Sequence, residues 1–588
     1  MRKVLVLSLI LLLLPYRLLF ASSTFVVRNQ ADFCRITEHV LQLKNEGVRR
    51  VKVEIMPGTY EFNEGCFSLK DIIAPNLSLR IIGKGEVRII PVGKSYKNKD
   101  VYEGPFNMDN SWISGNKDLN IWGKTRYVQG LIEVVDVNNK ICRLKSKEIL
   151  PNILDASNVF VLIPEWYTTK AYKVIRIEKE YVYFVASDLT NSFYNGLNVN
   201  DDYNYAKKEL RFRLCNVEND KDVISVIKQK VSLPNDYSSI REGRVQNFVT
   251  IYNCIFKNIE FSNLKFIGNG ARNNTALFYF NNTRSKQIIV KRCEFLGMRS
   301  GVILIKGTSN VFIKGNIFKD CYYYGVYSDN ASINTHIEDN QFSVMGKRFQ
   351  NSFCISCSGI DFYISNNILK DFGYGGVSLG MWYGSEQKNS CRGIVENNEF
   401  FYSDSFLKEV PESGLMDGGA IYTYSKNDGT IIRYNYIHDI SGVADNRGIF
   451  CDDGAYGLLI CGNVITKIYN SYCIDSRRVS SIENYAQGSN VKNANINVEI
   501  TNNIVDGDVR FEANEVVNNG CKYGGNYILT AKKTRMPVIT IKDVDNKESD
   551  IYLDCIGFHK GKLEVAKESY KILKRSPIWP GIKKHINK

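Results

Sequence analysis

The feature that most constrains this chain is a short unit that keeps returning after about residue 250: Asn, any residue, then an apolar residue. The copies are Asn316-Ile317-Phe318, Asn340-Gln341-Phe342, Asn367-Ile368-Leu369, Asn398-Glu399-Phe400, Asn435-Tyr436-Ile437, Asn463-Val464-Ile465 and Asn503-Ile504-Val505. Cys293-Glu294-Phe295 is an earlier copy with Cys in the Asn place. From Asn316 to Asn503 the asparagines lie 24, 27, 31, 37, 28 and 40 residues apart. Between them a second strand opens on Gly, as in Gly301-Val302-Ile303-Leu304, Gly325-Val326-Tyr327, Gly376-Val377-Ser378-Leu379, Gly419-Ala420-Ile421-Tyr422 and Gly448-Ile449-Phe450-Cys451. A unit this short cannot bury its apolar side alone, so the copies must stack into one continuous core. The shortest interval is about one coil of a solenoid whose strands stack ~4.8 Å apart; longer intervals require loops inserted into single coils. The expected fold is therefore all-β, a right-handed parallel β-helix. Its repeated Asn is read as a turn residue, tolerant of left-handed backbone and hydrogen-bonded to its copies above and below, and not as a catalytic group.

The rest of the 588 residues frames that repeat. Hydrophobic residues at 44% and charged residues at 23% exclude a disordered chain, and 12% aromatics against only 12 prolines suit strands. Residues 1–23 read as a signal peptide, with Arg2 and Lys3, an apolar run from Val4 to Leu14, and the small residues Ala21-Ser22-Ser23. The run is too short to span a bilayer comfortably, the alternative being an uncleaved anchor that reaches Phe20, and no later stretch approaches spanning length. The expectation is an exported protein of the periplasm or extracellular space, with no integral membrane segment after cleavage, acting as a monomer. Residues 24–100 read as an N-terminal cap and first coils: Ala31 to Asn45 has helical spacing, and a helix there would cover the open end of the solenoid. Residues 101–245 break the repeat and read as an inserted β-rich subdomain, 246–515 as the main solenoid with its groove, and 516–588 as a C-terminal cap. Fifteen cysteines leave at least one unpaired if all partners are internal, and Cys354/Cys357 and Cys451/Cys461 lack companions at zinc-ligand spacing. They read as small buried hydrophobes, and no metal site or cofactor is expected.

Chemistry concentrates between about 400 and 478. Aligning the Gly-led strands turns Ile449 and Cys451 inward and Phe450 and Asp452 outward, with Asp475 stacked on Asp452 and Thr423 in the same column one coil earlier. Asp417 lies just ahead of Gly418-Gly419, and Asp453 just after Asp452. Paired carboxylates suit glycoside hydrolysis, one protonating the leaving oxygen while the other attacks or activates water. The bland alternative makes Asp452 and Asp453 turn residues before Gly454.

One block resembles a known family. Gly418-Gly419-Ala420-Ile421-Tyr422-Thr423, Gly429-Thr430-Ile431-Ile432-Arg433, Asn435-Tyr436-Ile437-His438-Asp439 and Gly448-Ile449-Phe450-Cys451-Asp452-Asp453-Gly454 are similar to a β-helical glycoside hydrolase family with α-L-fucosidase and xylanase members. Cys451 stands where an aliphatic residue is expected. The resemblance implies catalytic aspartates at Asp417, Asp452 and Asp453. Asp417 precedes the expected Asp452 column by six positions, roughly 20 Å along an unbroken strand, so a turn must bring them together. Otherwise Asp417 with Asp445, or Asp452 with Asp475, does the work.

Substrate contacts are expected from His438, Arg447, Trp382, Tyr422 and Asp475. His438 could orient an aspartate or meet a sugar hydroxyl, Arg447 could hold a uronate carboxylate, and Trp382 could offer a flat platform for a sugar ring. The expected function is an exported glycoside hydrolase acting on a polysaccharide or oligosaccharide, acidic in some readings. Removing Arg2, Lys3 and Arg17 with the leader lowers the formal +14 to +11, which favours an acidic substrate. Nucleic acid is not the expected partner, because no aromatic-interleaved basic cluster is present. Two alternatives stand: a polysaccharide lyase, whose aspartates would hold Ca²⁺, and a non-catalytic carbohydrate-binding surface protein.

Overall fold

The computed structural model describes residues 22–62, 67–91, 106–107, 125–146, 159–165, 168–178, 181–186, 210–216, 248–269, 276–298, 301–321, 324–345, 353–383, 386–388, 390–409, 418–424, 426–441, 446–452, 455–469, 471–476, 495, 497–511, 521–524, 526–528, 556–559 and 562–565. Three long parallel sheets dominate: sheet A of 14 strands, sheet B of 12 and sheet C of 11. Each coil visits them in the order C, A, B. Thus Gly419–Thr423 lies in C, Lys426–Arg433 in A and Tyr436–Ile440 in B, and Arg447–Cys451 returns to C.

Side-chain alternation along each strand places one apolar set inside all three sheets. The apolar residue of each Asn unit forms a vertical file in sheet B. Phe266, Phe295, Phe318 and Phe342 stack at centroid distances of 5.4, 4.9 and 4.5 Å, and Leu369, Phe400, Ile437 and Ile465 continue the file. All are buried.

The turn from sheet A to sheet B is nearly the same in every coil. Asn316, Asn340, Asn367, Asn398, Asn435, Asn463 and Asn503 form an amide ladder, which Asn526 extends by one rung. From Asn316 to Asn503 each Nδ2 donates to the Oδ1 of the next rung and to a carbonyl of the coil before, as Asn398 does to Asn435 and to Ile364. Each Oδ1 also accepts the backbone N–H of the rung before. The left-handed backbone falls on the residue ahead of the ladder Asn: Gly315, Asp339, Asn366, Asn397, Tyr434, Gly462 and Asn502. That corrects the sequence reading, which gave both tasks to one residue. A side chain aimed along the solenoid axis leaves the reversal to its neighbour.

Gly opens several sheet C strands because the chain is crowded where sheet B meets sheet C. A Cβ on Gly448 would lie 2.4 Å from the Cys473 carbonyl oxygen and 2.8 Å from an Ile465 methyl group.

At the N-terminal end, helices α1 (Gln30–Cys34) and α2 (Ile36–Asn45) bury Phe33, Ile36 and Val40 in the same core as Val51, Val53 and Phe62. The side chain of Asn29 caps α1 by accepting the Asp32 N–H at 2.9 Å. The first strand, Ser22–Val27, pairs in parallel with Arg50–Ile55 and starts within the last two residues assigned to the leader; residues 1–21 lie outside the described residues.

Between Phe106 and Asn216 seven strands form a separate antiparallel sheet, six of which close into a ring through the pairing of Val159–Glu165 with Thr168–Glu178. Its buried residues, among them Ile132, Leu144, Tyr172 and Phe184, form no part of the solenoid core. Most of the segment 516–588 lies outside the described residues; Ile556–His559 and Lys562–Val565 pair as a hairpin. Among the described residues no helix is long and apolar enough to cross a membrane.

Cys254, Cys293, Cys321, Cys354, Cys357 and Cys451 are buried free thiols. Burial pushes Cys293, Cys357 and Cys451 up to about 12, so they pack as apolar side chains rather than act as nucleophiles.

Candidate functional site on sheet C

The A-to-B turn has no room for inserted residues, so the chain expands on either side of sheet C. A hairpin, Met381–Tyr383 against Glu386–Lys388, follows the C strand Gly375–Leu379. Helix α3 (Asp404–Glu409) and the residues up to 417 precede Gly419–Thr423, and residues 477–494 follow Ile474–Ser476. A solenoid puts specific side chains where its coils vary, and here that is sheet C.

The inner file of this sheet is Ile355, Val377, Ile421, Ile449 and Ile474; the outer file beside it is Ser356, Ser378, Tyr422, Phe450, Asp475 and Arg510. Asp452 lies two residues beyond Phe450, on the same outward parity. Tyr422, one coil below, reaches it diagonally and donates its hydroxyl to Oδ2 at 2.6 Å. The Asp452 backbone is pinned as well: its N–H donates to the Thr423 carbonyl at 3.0 Å, and its carbonyl accepts the Ala455 N–H at 3.1 Å. Asp452 is 8% exposed.

Asp475 stacks on Phe450 and not on Asp452, and Thr423 pairs with Cys451, so the expected acidic column does not form. Asp475 is displaced by two residues, which keeps it on its expected outward face, whereas Thr423 is displaced by one and turns inward with Cys451, fully buried. Asp475 is fully buried between two guanidinium groups: Arg447 Nε reaches Oδ2 at 2.5 Å and Arg510 Nε reaches Oδ1 at 2.7 Å. Arg447 is fully buried too, and its guanidinium lies 3.9 Å over the Phe450 ring. Arg510 lies 4.5 Å over Tyr472. The geometry therefore draws Arg447 and Asp475 into one buried ion cluster, where the sequence placed them facing substrate.

His438 belongs to another face. It points outward from sheet B, stacked on Phe401 at 5.0 Å and on Tyr436 at 4.1 Å. Its Nδ1 meets Asp439 Oδ2 at 2.7 Å, and its Nε2 lies 3.4 Å from Glu399 Oε1. Burial alone would lower the imidazole's proton affinity; the hydrogen bonds and charges of Asp439 and Glu399 outweigh it and raise the pKa above 6.5. Asp439 shifts the other way: burial would raise its pKa, but His438 and Lys467 hold it below 3.8.

Trp382 lies in the hairpin after Gly375–Leu379. Asp417, Asp453 and the rival Asp445 lie outside the described residues, so Asp452 is the one catalytic candidate that the described residues contain. Sequence reasoning missed Glu399 and Asp439 as partners of His438, and Arg510 as a partner of Asp475. Glu399 carried a signal, since it is the middle residue of an Asn unit and must point outward. Among the described residues no three His, Cys, Asp or Glu side chains gather as a metal site.

A model of the right handed beta helix region matches residues 301–496. The chain is a right-handed parallel β-helix. A solved glycoside hydrolase is 11% identical, covering 77% of this chain and 95% of its own, with a TM-score of 0.47. The surface adhesin PfbA of Streptococcus pneumoniae is 11% identical over 89% of this chain and 94% of its own, with a TM-score of 0.39. An alginate lyase from Paenibacillus sp. is 11% identical over 47% of this chain and 89% of its own, with a TM-score of 0.31. No curated protein sequence matches. Similarity at this level concerns the fold and not the chemistry.

Proposed function

We propose that this chain is an exported glycoside hydrolase that cleaves a polysaccharide or oligosaccharide with two carboxylates, one of them Asp452. The observation that carries the reading is the setting of Asp452. It directly follows the sheet C strand Arg447–Cys451, nearly buried and pinned through its backbone, with a tyrosine hydroxyl 2.6 Å from its carboxylate. A carboxylate held this firmly suits a reaction that needs one group to attack or activate water and another to protonate the leaving oxygen. Asp417 and Asp453, both within the family-like block, are the candidates for the second role. The positive balance of the chain favours an acidic glycan.

The test is a panel of defined glycans read for new reducing ends. Asp452→Asn should lower kcat on the order of 10²–10⁴-fold with the melting temperature unchanged. Release of ultraviolet-absorbing unsaturated ends would replace the hydrolase by a lyase. Binding without cleavage, unaffected by Asp452→Asn, would make the protein a carbohydrate-binding surface protein.

A further inference from the structure

We infer that Tyr422 is a positioning residue that keeps Asp452 ionised, which makes Asp452 the base or nucleophile and leaves proton donation to another group. This rests on the reading of Asp452 as a reacting carboxylate. It assigns Tyr422 a task other than contact with substrate.

The Tyr422 hydroxyl donates to Asp452 Oδ2 at 2.6 Å, a short O–H···O hydrogen bond. A phenol has one proton to give, and giving it to the carboxylate stabilises the charged form. The ring that carries the hydroxyl is fixed by other aromatics. Phe450 meets it edge-on at 5.3 Å, and Phe353 and Tyr374 lie at 5.7 and 6.1 Å. Phe450 is braced in turn by the Arg447 guanidinium 3.9 Å over its face, and Arg447 by Asp475. The buried ion cluster and Asp452 are thus the two ends of one packed series: Asp475, Arg447, Phe450, Tyr422, Asp452. Its outward residues share or adjoin one file of sheet C, where the diagonal between neighbouring strands is within reach of a tyrosine side chain.

Tyr422→Phe removes one oxygen atom and leaves the ring packing in place. With aspartate ¹³C-labelled at its side-chain carboxyl, the Asp452 signal is identified by its loss in Asp452→Asn. Its titration midpoint should rise in Tyr422→Phe, and the acid limb of the pH–rate profile should move up with it, kcat falling more than KM changes. Phe450→Leu, which loosens the ring but keeps the hydroxyl, should give a smaller shift in the same direction. If the variants fold and cleave but neither the midpoint nor the acid limb moves, the inference is overturned. If the midpoint moves while no glycan is cleaved by any form, the Tyr422–Asp452 coupling stands and the hydrolase reading falls.

Discussion

His438 and Asp439 tie the stability of one face of sheet B to pH. The folded pKa of His438 lies above 6.5, so its contribution is present in full below that ordinary value and is lost as pH rises through the raised one. The folded pKa of Asp439 lies below 3.8, so its contribution is present above 3.8 and is lost as pH falls through the lowered value. Both contribute fully in mildly acidic solution, between those two ordinary values. The charged and titratable neighbours are Glu399, Lys467, which stands 3.7 Å from Asp439, and Tyr469. His438→Asn should therefore lower the melting temperature most in mildly acidic buffer and progressively less as pH rises past neutrality. A difference from the wild type that stays constant from acid to neutral pH would show that the imidazole is only a packing group. His438 was visible in the sequence as a coil residue, but Glu399 stands 39 positions earlier, across a long loop. Loop length is set by no periodicity, so the sequence could not show which carboxylates a histidine meets. For Asp452 the position at a strand end was legible, and the hydrogen bond from Tyr422 was not.

At the scale of the coil, the legible elements are those repeated without change. The A-to-B turn carries the ladder in every coil from Asn316 to Asn526, and seven of its eight asparagines stand out in the sequence. The eighth, Asn526, heads the same unit, Asn526-Tyr527-Ile528, in the segment that the sequence reading gave to the C-terminal cap. The position of Asp475 escaped for a different reason. Alternation decides which face a residue takes, and a one-residue slip would turn the core outward. A slip of two residues changes no face, so the apolar pattern is blind to it, and the strand Ile474–Ser476 has no leading Gly to anchor the alignment. The ladder itself should be costly to interrupt. Asn398→Ala deprives the Ile364 carbonyl of a donor and the Asn367 N–H of an acceptor, both buried. Each buried group left unpaired costs about 1–3 kcal/mol, so the urea midpoint should fall clearly. Asn258→Ala, which removes a long, part-buried bond to Ser78, should move it far less. Equal effects from the two would mean that the stacked amides contribute no more than part-buried ones.

The solenoid is one continuous core, in which each coil touches chiefly its neighbours, so its ends are its weak points. At the N-terminal end the strand Ser22–Val27 supplies the outermost strand of sheet A, and α1 and α2 bury Phe33, Ile36 and Val40 on the first coil. Removing residues 22–47 would uncover Val51, Val53, Ile55, Tyr60 and Phe62, all now buried, and would leave Arg50–Ile55 as a bare edge strand. An apolar coil face beside an unpaired edge is the surface on which a second copy can continue the solenoid. A chain starting at residue 48 should therefore self-associate, and light scattering on a sizing column should show oligomers or aggregate where the full chain runs as a smaller species. Adding back the helical segment as a separate peptide should suppress that association only if it docks on the exposed coil. A truncated chain that stays monomeric and melts with the full one would mean that the first coils need no cover, and that the helices serve something other than the fold.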